Sequence, residues 1–151
     1  MSRVRIIGGV WRSRLLDVSA VPGLRPTPDR VRETLFNWLG QDLSGLDCLD
    51  LFAGSGALGF EAASRGAASV TLVEQSPRAF AALQANARML GADRLELVRA
   101  DALKFLTQTR RRYDVVFLDP PYHQNWVERA LPLLDRVLQP QALVYAEAEH
   151  E

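Results

Sequence analysis

From Cys48 onward, compact apolar runs alternate with stretches whose apolar positions recur every three or four residues. Five runs read as strands, Cys48–Ala53, Ser69–Glu74, Leu95–Ala100, Tyr113–Asp119 and Ala142–Glu147. Near-continuous apolar runs of this kind are buried on both faces. The segments between them read as helices over about 57–65, 77–90, 102–109 and 126–138. Ser76-Pro77 supplies an N-cap and a first-turn proline, and Pro132 is expected to kink or divide the last helix. Strand alternating with helix predicts an α/β fold, a parallel sheet covered by helices on both faces.

The first 40 residues are patterned differently. Arg3 to Gly8 and Arg12 to Val18 are short apolar-basic runs around Gly8-Gly9, which predicts a hairpin ahead of the sheet. We therefore expect a basic hairpin extension over 1–20 and a main domain over 21–151. Val21 to Pro28 is rich in proline and glycine and reads as a loop. Thr27 is expected to cap a helix with Pro28 in its first turn, running to about Leu39 and stopped by Gly40. Helical spacing puts Val31, Leu35 and Trp38 or Leu39 on its inner face.

Charge changes the picture only at this end. The formal net charge is zero, yet residues 1 to 36 carry seven arginines against Asp17, Asp29 and Glu33, a local +4. Guanidinium forks match phosphate oxygens, so Arg3, Arg5, Arg12, Arg14, Arg25 and Arg32, with Trp11, are candidates for binding RNA. Trp11 serves equally well as packing of the hairpin on the body. Cys48 is the only cysteine and lies in an apolar run, which suits a small buried hydrophobe rather than a reactive thiol. No leader and no apolar run of about 18 residues is visible, so a cytoplasmic monomer is expected. No cluster of metal ligands stands out.

The chemistry gathers where the strands end. Gly54, Gly56 and Gly59 follow the first strand of the main sheet as G-x-G-x-x-G, with Glu74 20 residues past Gly54. Such a turn lets a nucleoside ligand approach the backbone, and a carboxylate at the second strand's end can accept both ribose hydroxyls. Taken alone the pattern also suits an NAD-dependent oxidoreductase. Asp101, followed by Ala102, can accept from an exocyclic amine or cap the next helix. The fourth strand of the main sheet ends in Asp119-Pro120-Pro121-Tyr122. Two prolines lack N–H donors, so the turn offers carbonyls and a carboxylate to a bound NH₂ group, and Tyr122 can stack on a flat base. Acceptors on both N–H bonds of a purine amine localise its lone pair for in-line attack on a methyl donor. Catalysis of that kind is mainly positioning and electrostatics.

These residues resemble the class I S-adenosylmethionine-dependent methyltransferases that act on exocyclic amines. R-I-I-G-G-V-W-R-S-R-L-L, then L-R-P-T-P-D-R-V-R-E-T-L-F-N-W, then D-L-F-A-G-S-G-A-L-G-F-E-A, is similar to the RsmD family of bacterial 16S rRNA guanine-N2 methyltransferases over residues 3 to 150. The resemblance implies a Rossmann-like class I methyltransferase fold. It implies that Asp50, Ala53, Gly54, Ser55 and Gly56 line the methionine part of S-adenosylmethionine. Glu74 and Gln75 would meet its ribose, and Asp101 and Ala102 its adenine. Thr27 would close over the cofactor, and Asp119 to Tyr122 would hold the target guanine, with Asp119 also beside the cofactor. The implied partner is 16S rRNA or the small ribosomal subunit. D-P-P-Y also occurs in adenine-N6 enzymes, and a basic leading segment would equally serve a non-enzymatic RNA-binding protein. Members of the family run on by some tens of residues in a final antiparallel strand pair, which is expected to be missing here. Ser13 stands where a glycine is common.

Overall fold

The protein was examined as a computed structural model, which describes residues 2–18, 28–120 and 125–146. Five strands form one all-parallel sheet in the order β5-β4-β3-β6-β7: β3 Asp47–Asp50, β4 Ser69–Glu74, β5 Leu95–Arg99, β6 Tyr113–Leu118 and β7 Leu138–Ala146. A separate antiparallel hairpin pairs β1 (Ser2–Arg5) with β2 (Leu15–Val18). Helices α1 (Asp29–Leu39), α2 (Ala57–Ser64), α3 (Pro77–Leu90), α4 (Ala102–Gln108) and α5 (Trp126–Ala130) complete the fold. The order reverses between β3 and β6, so the carboxyl ends of those strands flank the switch point where open α/β sheets bind ligands.

Two apolar clusters cover the two faces. One joins the hairpin, α1, α2 and α3 to Cys48, Val70, Leu72, Val115 and Phe117; the other joins α4, α5 and the segment after it to Leu49, Leu51, Val73, Val116 and Leu118. Neighbouring strand residues thus serve opposite faces, which is why the runs read as continuously apolar. Cys48 is fully buried, and burial foremost pushes its thiol up to about 12.

The cap and breaker signals act locally. The Ser76 hydroxyl accepts from Ala79 N–H at 3.3 Å with Pro77 in the first turn, and α3 buries Ala79, Leu83, Asn86 and Leu90 at helical spacing. Pro132 divides the last helical segment: α5 ends at Ala130 and a 3₁₀ helix runs Leu131–Val137. Two strand limits differ from expectation. β3 closes at Asp50 because Leu51 N–H bonds Phe117 O on one neighbour (3.2 Å) while Ala53 N–H bonds Val73 O on the other (2.9 Å), so the chain straddles the sheet rather than extending along it. β7 begins four residues early, at Leu138, accommodated by a register shift between Tyr113 and Val115.

Helix α1 departs most. Pro28, not Thr27, stands at its N-cap position, and Thr27 lies outside the described residues. Its buried residues are Arg32, Leu35 and Phe36, with Val31 half-buried, whereas Trp38, expected inward as the alternative to Leu39, is 87% exposed. At 100° per residue, Trp38 lies roughly 60° past Leu35 on the side away from Arg32 and Phe36. Leu39 keeps the inward position, packed against the core.

Arg32 faces inward because Glu61 of α2 is fully buried opposite it. The Glu61 carboxylate accepts from Arg32 Nη1 (3.0 Å), Arg65 Nε (2.9 Å) and the N–H groups of Ile7 and Gly8 (2.9 Å each). Arg32 also donates to Arg5 O (2.9 Å) and to the Asp29 carboxylate. One side chain of α2 therefore holds α1 and the hairpin together. At the hairpin turn Gly9 has φ +82°, and a Cβ there would stand 1.9 Å from Ser64 O, so only glycine permits the docking. Asn86 of α3 pins the other end, accepting from Asp17 N–H (3.1 Å) and donating to Asp17 O (2.8 Å).

Glu61→Ala removes the acceptor shared by two buried guanidinium groups and two N–H donors, so it is expected to lower unfolding stability by about 3–5 kcal/mol. Urea denaturation of the two proteins, compared at equal slope, measures the loss.

Candidate active site

The rim residues are placed by strand ends. Asp50 terminates β3, Glu74 terminates β4, Asp101 follows β5 and Asp119 follows β6. Between Asp50 and α2 the chain turns through Gly54 (φ +55°) and Gly56 (φ +84°), conformations that side chains with a Cβ resist. A Cβ on Gly56 would lie 2.6 Å from the Phe60 ring and 2.7 Å from Leu83. The tight turn is closed by Gly56 N–H on Ala53 O at 2.7 Å.

Glu74 braces this loop. Its Oε1 accepts from Gly54 N–H and its Oε2 from Ser76 N–H, both at 2.8 Å. The same carboxylate thus ties the glycine turn to the start of α3. A carboxylate offers about four lone-pair positions, so two remain for other donors, such as ribose hydroxyls. Asp101 caps α4 by accepting from Lys104 N–H at 3.0 Å, which likewise leaves acceptor capacity. Ala102 is buried and Gln75 exposed beside these groups.

Asp50 is 2% exposed, and its Oδ2 accepts from Gly59 N–H at 3.0 Å. Burial, then the nearby Asp119 charge, raises its carboxyl to about 8, against the lowering effect of the Gly59 bond; Glu74 adds to the rise. Carboxylates thus meet at the mouth of the loop, an environment that favours a cationic ligand. Asp119 and Pro120 are half-buried; Pro121 and Tyr122 lie outside the described residues. On the far side of the loop, Phe52 packs against Trp126 with ring centroids 5.5 Å apart.

The expected RNA contacts divide. Arg3, Arg5, Arg12 and Arg14 are exposed on the hairpin; Arg3 pairs with Asp17 (3.3 Å) and Arg5 lies 3.9 Å from Asp29. Arg25 lies outside the described residues. Arg32 is a correction: its guanidinium is fully buried against Glu61, so it holds the fold and presents nothing to a phosphate. Trp11 is half-buried against the core. The Glu61 cluster and the bracing by Glu74 were missed from the sequence. The available signal was an acid within the otherwise small and apolar run A-L-G-F-E-A-A-S, which requires a buried cation.

The Asp50 shift gives a signed expectation. A carboxyl whose folded pKa is raised contributes stability that is full below its unfolded value of 3.8 and is lost as pH rises through about 8. Ligand-free protein should lose this contribution between those limits, and Asp50→Asn should flatten that part of a stability–pH profile measured by denaturant unfolding.

Comparison with known proteins places this arrangement. The family model described as Conserved hypothetical protein 95 matches residues 4–151. Ribosomal RNA small subunit methyltransferase D of Escherichia coli (strain K12) is 47% identical over 151 residues, covering 99% of this chain and 76% of that protein. The protein of the same name from Haemophilus influenzae is 47% identical over 154 residues, covering 98% and 80%. The solved structure of Escherichia coli yhhF superposes with a TM-score of 0.89 at 47% identity, covering 99% of this chain and 84% of that one. With a parallel sheet of Rossmann-like class I methyltransferase form and a family match over nearly its whole length, the chain belongs to the Conserved hypothetical protein 95 family, that of the ribosomal RNA small subunit methyltransferases D.

Proposed function

We propose that the protein transfers a methyl group from S-adenosylmethionine to the exocyclic N2 amine of a guanine in 16S rRNA of the small ribosomal subunit. The observation that carries this reading is a Glu74-braced glycine turn and the Asp119–Pro120 acceptor turn meeting at one sheet switch point, in a chain 47% identical to named small-subunit rRNA methyltransferases. Family membership sets aside the NAD-dependent oxidoreductase.

The residues fit the cofactor on two counts. Gly54 and Gly56 take left-handed conformations that keep side chains out of the turn, and the carboxylates beside Asp50 suit a positive charge. When bound, S-adenosylmethionine supplies an electrophilic methyl on a sulfonium. Glu74 accepts from the ribose hydroxyls with the lone pairs left after bracing the loop. Asp101 accepts from the adenine amine. Asp50, Ser55 and the turn around them take the methionine end. Asp119 and the Pro120 carbonyl accept from the target amine and aim its lone pair, and Tyr122 supplies the stacking face. The target base must leave its stack to reach them. Arg12 and Arg14, exposed on the hairpin, supply cations for phosphates of the same RNA. Among the described residues no helix is long and apolar enough to cross a membrane.

Incubation with S-adenosylmethionine and deproteinised small-subunit rRNA, followed by nucleoside analysis, should yield N2-methylguanosine. N6-methyladenosine as the sole product would reassign the base. Asp119→Asn should slow transfer by about 100-fold or more.

A further inference from the structure

We propose that the outward stripe of α1 is a docking surface for a single-stranded segment of the RNA substrate, with Trp38 as the platform on which an unpaired base stacks. The inference rests on the rRNA reading above and adds a contact site to it.

Trp38 is 87% exposed, more than any other large hydrophobic side chain among the described residues. Its exposure follows from the packing of α1, since Arg32, Leu35 and Phe36 fill the inward face and Leu39 packs beside them. Arg30, Thr34 and Trp38 stand four residues apart and so line one strip of the helix, about 12 Å long at 1.5 Å per residue. Arg30 and Thr34 are exposed, and Arg30 has no ion pair among the described residues. Glu33 is the one acid on the outward side, because Asp29 is engaged by Arg32 and faces Arg5.

The hairpin loop lies near the end of α1. Val10 N–H bonds Ser64 O at 2.8 Å, and Gln41, just past α1, accepts from Arg65 Nη1 at 2.6 Å. The loop and the end of α1 are therefore both fastened to the last turn of α2, and Arg12 projects from that loop without an ion pair among the described residues. A cation two turns from an exposed indole on the same strip matches the alternation of phosphate and base along a single strand, where aromatic side chains stack on any base. Arg30 and Arg12, both exposed, outnumber Glu33, which favours a polyanion over an acidic or apolar protein partner.

Trp38→Ala and Trp38→Phe test this, since neither disturbs a buried contact. Affinity for deproteinised small-subunit rRNA is read by fluorescence anisotropy, with thermal melts and calorimetric S-adenosylmethionine binding as controls. Trp38→Ala is expected to weaken RNA binding about tenfold with melt and cofactor affinity unchanged, and Trp38→Phe to restore most of it. The parent should lose tryptophan emission on adding RNA, and Trp38→Phe should lose much less. Trp38→Ala binding RNA within twofold of the parent, while the parent methylates RNA, overturns this inference alone. Loss of a concentration-dependent dimer with RNA affinity unchanged would assign the face to a second copy instead. A parent that binds cofactor but no RNA overturns both this site and the rRNA reading.

Discussion

One buried carboxylate governs how the two parts of this chain meet. Glu61 sits fully buried among two guanidinium groups and two main-chain donors, which come from three places: Ile7 and Gly8 of the hairpin, Arg32 of α1 and Arg65 at the end of α2. A charge in that position is costly unless every lone pair is used. The geometry of the hairpin, α1 and α2 is therefore set together, and Asp29 balances the second arginine at the cluster's edge. Because α2 opens directly from the glycine turn, the cluster also bears on where that turn lies.

The candidate site follows the same logic with the opposite outcome. Around the Glu61 cluster acids and bases are matched; at Asp50 the charges of Asp119 and Glu74 oppose its own, and Gly59 N–H donates to it. The strand ends bring Asp50, Asp119 and Glu74 near one another, and burial leaves Asp50 holding its proton to about 8. Such an arrangement is held open by the fold and relieved by a positively charged ligand, which is how a site can be built in advance for a sulfonium. Glu74 serves both ends, fixing the turn by main-chain bonds while retaining lone pairs for a ligand.

Much of this was legible before any coordinates. Strand order aside, the five main strands, the helices between them, the Ser76 cap, the break at Pro132 and the buried state of Cys48 all came from local pattern, because each depends on residues within a few positions. The rim residues were legible for the same reason: a strand end is a local feature, and parallel topology places all strand ends on one side. Trp38 and Arg32 were misplaced because amphipathic spacing treats arginine as outward and tryptophan as inward, and that rule cannot see a buried acid on another helix.

The amino-acid sequence by itself determined the elements, the parallel class of the sheet and the set of polar groups at its rim, since periodicity, proline and glycine act through short-range sterics. Tertiary structure decided which arginine is buried, that Glu74 braces the glycine turn, that Asp50 keeps its proton, and that the indole of Trp38 is left in water. Each of those depends on partners 20 or more residues away, or on solvent exclusion by the whole packed chain, and neither is written in any local run of residues.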